Sequence, residues 1–351
     1  MKICYFGTYE SDYIRNRVLI SGLEQNGVEV IHCRDTAPGL KKYINLWRKH
    51  KLIKNDYDVM IVGFSGQAMM PLAKILSRKK IVFDGLVPLH DAIVYNHKSI
   101  RPISLRALYY WLLDFIAAHL ADLVLTDTAE HIFFYHRKFY VNQKKFLRLF
   151  VGADETIFFP RTHVKSKDDF VVEFHAFVYA EHGVDYIIDA AQILKSIHPD
   201  IRFVMIGASV QYDQAAERAK KLNLSNMEFT GRKPLREIPE YLAEADVCLG
   251  LFGKTEKTQR VIPNKAFEIL ASRRPLINSD GAGVRELLKN GENCILCEPA
   301  SGQSLADAII KLKNDSALRQ KIADNGYELF RQSLRPVALG KQLKDRLIEM
   351  I

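Results

Sequence analysis

Ala245–Pro299 reads ADVCLGLFGKTEKTQRVIPNKAFEILASRRPLINSDGAGVRELLKNGENCILCEP. Two short apolar runs, Val247–Leu251 and Pro275–Asn278, flank an amphipathic segment over Asn264–Arg273. Strand, helix and strand in that order predict a parallel βαβ unit. Pro263 is tolerated in a first helical turn and Asn264 is a good cap, so the helix start is expected to present free backbone N–H groups and the positive end of its dipole. A diphosphate is the natural occupant of such a start. Lys265 adds a full positive charge at once, and Glu268 follows one turn later on the same side. The plainer reading of these two residues is an i, i+3 surface ion pair of a few tenths of a kcal/mol.

Outward from this stretch the same alternation fills the chain. Apolar runs at Phe170–His175, Arg202–Ile206 and Met227–Thr230 alternate with helical patterns near Val184–His198, Ala215–Leu222 and Leu235–Ala243. An earlier set comprises Lys2–Phe6, Val28–Cys33, Val59–Val62, Lys80–Phe83 and Leu123–Thr126, with a helix near Tyr13–Gln25. Between the two sets, Val151–Lys167 (VGADETIFFPRTHVKSK) has neither period and is the expected linker. A length of 351 residues suits two domains. The expected fold is α/β: Rossmann-like domains over residues 1–158 and 168–333, and a final helix over 334–351 crossing back to the first. In open α/β sheets ligands sit beyond the strand ends, marked here by Gly7, Gly63 and Asp84. The two sets of strand ends are expected to face each other across a cleft, which suits a reaction that excludes water.

Composition narrows the function classes. With 48% hydrophobic and 26% charged residues the chain is ordinary globular protein rather than a disordered one. The opening MKICYFGTYESD has too short an apolar stretch for a signal-peptide core, so a cytoplasmic location is expected, at the inner face of the membrane if a membrane is involved. Ala107–Ala121 falls short of a bilayer span and reads as a buried helix. Five cysteines fit a reducing compartment, and the Cys294/Cys297 pair reads as part of a core strand rather than a zinc site. The net charge of +9 is densest at Lys41, Lys42, Arg48, Lys49, Lys51 and Lys54, around Tyr43, Leu46 and Trp47. No nucleic-acid motif accompanies the patch. A basic helix edged with an aromatic suits peripheral contact with an anionic bilayer, and a solvated helix face is the equal alternative.

The quoted stretch resembles the donor-binding segment of the retaining glycosyltransferases of the GT-B fold, group 1 or family 4 type, in the form where a P-[NS]-K-x-x-E element opens the helix. The likeness runs over most of the chain. It implies transfer of a hexose, with retention, from a UDP- or GDP-sugar to a glycan or lipid-linked acceptor in surface polysaccharide or glycoconjugate synthesis. It implies no cofactor beyond the nucleotide sugar as substrate and no metal, in keeping with the lack of a D-x-D element at a strand end. By the same resemblance Glu268 accepts hydrogen bonds from the ribose hydroxyls, a task for which a carboxylate has two oxygens.

Departures from the family pattern fall on charge. Arg260 stands where a second Glu is usual, and the Arg and Lys that usually grip the pyrophosphate are here Phe177 and His182. Stabilising a departing diphosphate is a large electrostatic task, so Arg260, Lys265 and a protonated or N–H-donating His182 are expected to take it over. The base is expected over Gly231 and Arg232. In the N-terminal half the resemblance places Gly7 near the donor phosphates, since a residue without Cβ lets a ligand approach the backbone. It also assigns Asp84 and His90 to the catalytic face. Arg15 and Arg17 are candidates for an anionic acceptor, with a solvent-facing role as the alternative. His131 and His136 read as helix surface or core.

Two other function classes compete. A sugar-nucleotide 2-epimerase of similar fold needs no acceptor. A non-catalytic, basic membrane-surface protein predicts salt-sensitive polyanion binding. A dinucleotide dehydrogenase is disfavoured, because no G-x-G-x-x-G follows the first strand.

Overall fold

The structure is a computed structural model describing residues 1–96, 100–162 and 169–351. It divides into two compact units, Met1–Gly152 with Leu334–Ile351, and Ala153–Ser333. Residues 163–167 of the expected linker, and residue 168, the expected start of the second domain, lie outside the described residues.

Unit 1 is a six-stranded parallel sheet: β1 (Lys2–Gly7), β2 (Glu29–Arg34), β3 (Val59–Val62), β4 (Lys80–Asp84), β5 (Leu123–Thr126) and β6 (Phe146–Arg148), in the order β2-β1-β3-β4-β5-β6. Its helices are α1 (Ile14–Gln25), α2 (Lys41–Ile53), α3 (Met70–Leu76), α4 (Leu105–Leu120) and α5 (Ala129–Phe139). Every residue of β3 and β5 is buried, as expected of central parallel strands with both faces covered. Leu46 of α2, Met70 and Ala73 of α3, Ala117 and Ala118 of α4 and Phe139 of α5 share one core cluster with β1, β3 and β4.

Unit 2 repeats the plan with β7 (Phe170–Phe177), β8 (Ile201–Ala208), β9 (Met227–Gly231), β10 (Val247–Leu249), β11 (Leu276–Ser279) and β12 (Ile295–Cys297), ordered β12-β11-β10-β7-β8-β9 and parallel throughout. The strand order reverses between β7 and β10, which makes their carboxyl ends the switch point where ligands bind in such sheets. The helices are α6 (Val184–Ile197), α7 (Val210–Lys221), α8 (Ile238–Glu244), α9 (Glu256–Arg260), α10 (Asn264–Ala271), α11 (Ala282–Arg285), α12 (Gly302–Asn314) and α13 (Ser316–Leu329). Cys294 and Cys297 are both buried and unbridged.

The last helix, α14 (Pro336–Ile348), packs on α1 of unit 1. The two meet glycine to glycine: a Cβ on Gly22 would lie 2.1 Å from the Pro336 carbonyl oxygen, and one on Gly340 would lie 2.1 Å from the Gly22 carbonyl. Asn26 Nδ2 donates to the Val337 carbonyl at 2.8 Å, and Lys344 Nζ to the Asn26 carbonyl at 2.7 Å.

One expectation is corrected at this level. The apolar helix expected to be buried over Ala107–Ala121 is α4, and it buries only one side, through Ala107, Asp114, Ala117 and Ala118. Leu105, Leu108, Tyr109, Leu112 and Ile116 are exposed. The alanines and the partly buried Trp111, Phe115 and Leu120 face the core, and the bulky residues on the opposite side of the helix turn outward. No described helix is long and apolar enough to cross a membrane.

Candidate functional site

The start of α10 differs in one detail from expectation. Pro263 is the cap residue, with extended backbone (φ −66°, ψ 142°), and Asn264 is already the first helical residue; no side chain caps the end. Proline at the boundary has no N–H to leave unpaired, and the N–H groups that follow open the helix. Lys265 and Glu268 are both buried, which rules out the simple surface ion pair.

Lys265 lies across the switch point of the sheet. Its Nζ donates to the Gly250 carbonyl, just past β10, at 3.3 Å, and sits 3.5 Å from the centroid of the Phe174 ring on β7. Burial lowers its pKa to about 7, against the opposing pull of Glu173, Glu268 and Glu181. The lysine is therefore poised between its two protonation states.

Glu268 is tied to β7 by a relay that sequence reasoning missed. Its Oε2 lies 3.0 Å from His175 Nε2, and His175 Nδ1 lies 2.7 Å from Oε1 of the fully buried Glu173. Residues 173 and 175 share one face of β7, as strand alternation requires. Burial works against the imidazolium, but the charges and hydrogen bonds of Glu173 and Glu268 outweigh it and push His175 up to about 9. An imidazolium between two carboxylates satisfies both ring N–H groups and fixes the Glu268 rotamer. The signal was present in FVVEFHAF, where two polar residues two apart interrupt a buried strand.

Two loops close around these residues. The turn after β7 and the loop after β10 are joined by Phe252 N–H to the His182 carbonyl at 3.1 Å and Gly253 N–H to the Glu181 carbonyl at 3.0 Å. Gly183 (φ +60°) is required there, because its Cβ would lie 2.4 Å from the Gly253 nitrogen. His182 Nδ1 accepts the Tyr179 N–H at 3.0 Å, leaving Nε2 to carry the ring proton. Burial, then the nearby Lys265 and Lys257, hold its pKa well below the usual histidine range. This arrangement favours the N–H-donating neutral ring over the protonated one.

The remaining unit 2 candidates are more dispersed. Arg260 ends α9 with its Nη1 3.5 Å from Glu256 Oε2. Gly231 closes β9 at φ +72°, its N–H donating to Tyr212 Oη at 2.9 Å, and the adjacent Arg232 is exposed.

In unit 1 the structure joins two candidates in a way that removes their expected roles. Arg15 and Asp84 are wholly buried: Arg15 Nε donates to both carboxylate oxygens at 3.1 and 3.2 Å, and its Nη1 to the carbonyls of Leu149 and Phe150 at 2.7 and 2.9 Å. Neither is open to an acceptor or a sugar; together they pin α1 to β4 and to the segment after β6. Gly7 ends β1 at φ +128°, and Arg17 is half-buried on α1. His90 is buried, edge-on to Phe139 at 6.5 Å, and burial lowers its pKa. Its loop hangs on Asp114, another residue sequence reasoning missed. The Asp114 carboxylate accepts the N–H groups of Leu89 and His90 at 3.0 and 2.8 Å, and burial raises it to about 7. His131 is core, 2.5 Å from Asp127, and His136 is exposed, bonded to the Val141 carbonyl. Lys49 of the basic patch is engaged within unit 1, by Asp35 at 3.0 Å and the Arg34 carbonyl at 2.6 Å.

Comparison with known proteins bears mainly on unit 2. Residues 155–329 match the family described as glycosyl transferases group 1. The glycosyltransferase MJ1178 of Methanocaldococcus jannaschii is 31% identical over 148 residues, 42% of this chain and 39% of that one. Alpha-D-kanosaminyltransferase of Streptomyces kanamyceticus is 29% identical over 167 residues, 47% of this chain and 42% of that one. These matches span about two fifths of the relatives' length. Among solved structures, Alr3699/HepE of Anabaena, in complex with UDP and glucose, superposes with a TM-score of 0.72 at 16% identity, covering 99% of this chain and 100% of that one. At that identity the likeness shows the fold, two Rossmann-like parallel-sheet units of the GT-B kind.

Proposed function

Residues 155–329 belong to the group 1 glycosyl transferases, and from that premise we propose that the chain transfers a hexose, with retention, from a UDP- or GDP-sugar to a glycan or lipid-linked acceptor. The observation that carries the reading is the pair Lys265 and Glu268, buried one turn apart at the start of α10, beside the switch point of β7 and β10. A surface helix has no reason to bury both. The structural neighbour that holds UDP and glucose supports a nucleotide sugar as donor.

In this reading the diphosphate lies at the N–H groups opening α10 and takes its counter-charge from Lys265. Neutral His182 donates Nε2–H to it, and Arg260 adds charge from the end of α9. Glu268, its Oε2 held by His175, accepts from the ribose hydroxyls with Oε1. Gly231 and Arg232 border the base. The bond from the anomeric carbon to the diphosphate oxygen breaks, a bond to the acceptor oxygen forms on the same face, and the acceptor proton passes to the departing phosphate oxygen. No protein base is needed, and the charge task falls on Lys265, Arg260 and the helix start rather than on a metal ion.

The test is a panel of nucleotide sugars scored by thermal stabilisation, followed by slow hydrolysis of whichever binds, with and without EDTA. Stabilisation by one UDP- or GDP-sugar and EDTA-insensitive hydrolysis are expected. An epimer formed from donor alone would identify an epimerase instead. Salt-sensitive polyanion binding with no nucleotide response would remove the enzyme reading.

A further inference from the structure

The helices α2, α3 and α4 form one layer on one face of the unit 1 sheet, with α3 packed against both of the others. Their inner sides supply the core. Their outer sides do not look like an ordinary solvated surface. On α2 and its cap, Leu40, Ile44 and Trp47 are exposed at i, i+4 and i+7, Trp47 by 48%, and follow one stripe. Ile75 is exposed on α3, and the stripe on α4 runs from Leu105, 86% exposed, to Ile116.

Charge on this layer has a single sign. Lys41, Arg48 and Lys51 stand beside the α2 stripe, Lys74 on α3 and Arg106 on α4, and the Lys51 ammonium lies 5.5 Å from the Trp47 ring centroid. The sole acidic residue within the three helices is Asp114, which is fully buried. Aliphatic and aromatic side chains standing out among cations, with no exposed carboxylate, are the composition of helices that lie in an anionic lipid interface. A polyanion such as nucleic acid has no use for the aliphatic stripe, and a second copy of the chain would press two positive faces together.

We propose that the outer face of α2, α3 and α4 docks onto an anionic lipid bilayer, its apolar side chains entering the interfacial region and its lysines and arginines meeting lipid phosphates. This rests on unit 1 alone and stands apart from the sugar-transfer reading.

The test is vesicle flotation of the full chain, with phosphatidylcholine vesicles against vesicles containing about one-third phosphatidylglycerol. Flotation with the anionic vesicles, weakening as salt rises, is expected. The triple variant Lys41→Glu, Arg48→Glu, Lys51→Glu should weaken partition by on the order of a hundredfold. The pair Ile44→Ser, Trp47→Ser should weaken it by about tenfold or more, and Leu108→Ser, Leu112→Ser should do the same on α4; circular-dichroism melts show which variants fold. Equal binding to neutral vesicles, no flotation, or variants that fold and float like the parent would each overturn the proposal. So would concentration-dependent self-association or capture by heparin in a chain that does not float.

Discussion

Binding of UDP or GDP should draw a proton from solution, and Lys265 should be the group that takes it. With a pKa of about 7 in the free protein, Lys265 is about 0.9 neutral at pH 8 by simple titration. A diphosphate at the start of α10 brings negative charge to within about 4 Å, worth roughly 4 kcal/mol per charge at an effective dielectric of 20, or about three pKa units. The bound lysine is then charged, so nearly one proton enters per nucleotide, and affinity should fall about tenfold per pH unit above 7. The diphosphate is fully ionised at pH 8 and contributes little uptake of its own. Isothermal titration in Tris and in HEPES reads the proton count from the difference in apparent enthalpy. Lys265→Arg keeps the charge and should abolish the uptake; Lys265→Met should weaken binding and flatten its pH dependence. An enthalpy independent of buffer, or the same uptake in Lys265→Arg, would refute the reasoning.

Three further outcomes follow from buried contacts. His175 has a folded pKa of about 9, raised above its unfolded value, so its contribution to stability is full below about pH 6.5 and is lost as pH rises through 9. Lys265, depressed when folded, acts in the opposite sense above pH 7, so the quantity to measure is the difference between parent and His175→Gln. That difference should be on the order of 3 kcal/mol at pH 6, shrink as pH rises from 6.5 and be nearly gone by pH 9 in urea melts, and His175→Gln should raise the donor KM because Glu268 loses its anchor. Arg15→Met or Asp84→Asn alone strands a buried charge or its partner groups and should destabilise unit 1 by about 3–5 kcal/mol, whereas the double change to Met and Leu should cost much less. Either Gly22→Ala or Gly340→Ala should loosen α14 from α1 through overpacking, lowering stability by about 1–3 kcal/mol in thermal melts.

Much of the architecture was readable because parallel strands buried on both faces are near-continuous apolar runs: β3 and β5 fall where Val59–Val62 and Leu123–Thr126 predict them. Helix starts were less legible. The α7 pattern begins at Val210, five residues before the expected Ala215, because the hydroxyl of Ser209 caps the Tyr212 N–H, a local bond that hydrophobic periodicity does not register. β6, a three-residue edge strand that opens the apolar stretch Phe146–Val151, was missed because Arg148 interrupts that stretch. At the site, Lys265 and Glu268 stood out through the likeness of their stretch to a P-[NS]-K-x-x-E element; their spacing alone also fitted a surface ion pair. Their partners Glu173 and His175 lie about 90 residues upstream and meet them only through the sheet. Arg15 and Asp84 show the converse: a charge at a strand end looks like a functional group until its partner, 69 residues distant, is seen beside it.

The most direct test of the central claim is a crystal structure of the chain with UDP or GDP bound. The account predicts the diphosphate at the first turn of α10, within about 3 Å of Lys265 Nζ, and the ribose hydroxyls on Glu268 with His175 still bonded behind it. A nucleotide seated elsewhere on the protein, with Lys265 still turned to the Gly250 carbonyl and Glu268 touching no ribose, would contradict it.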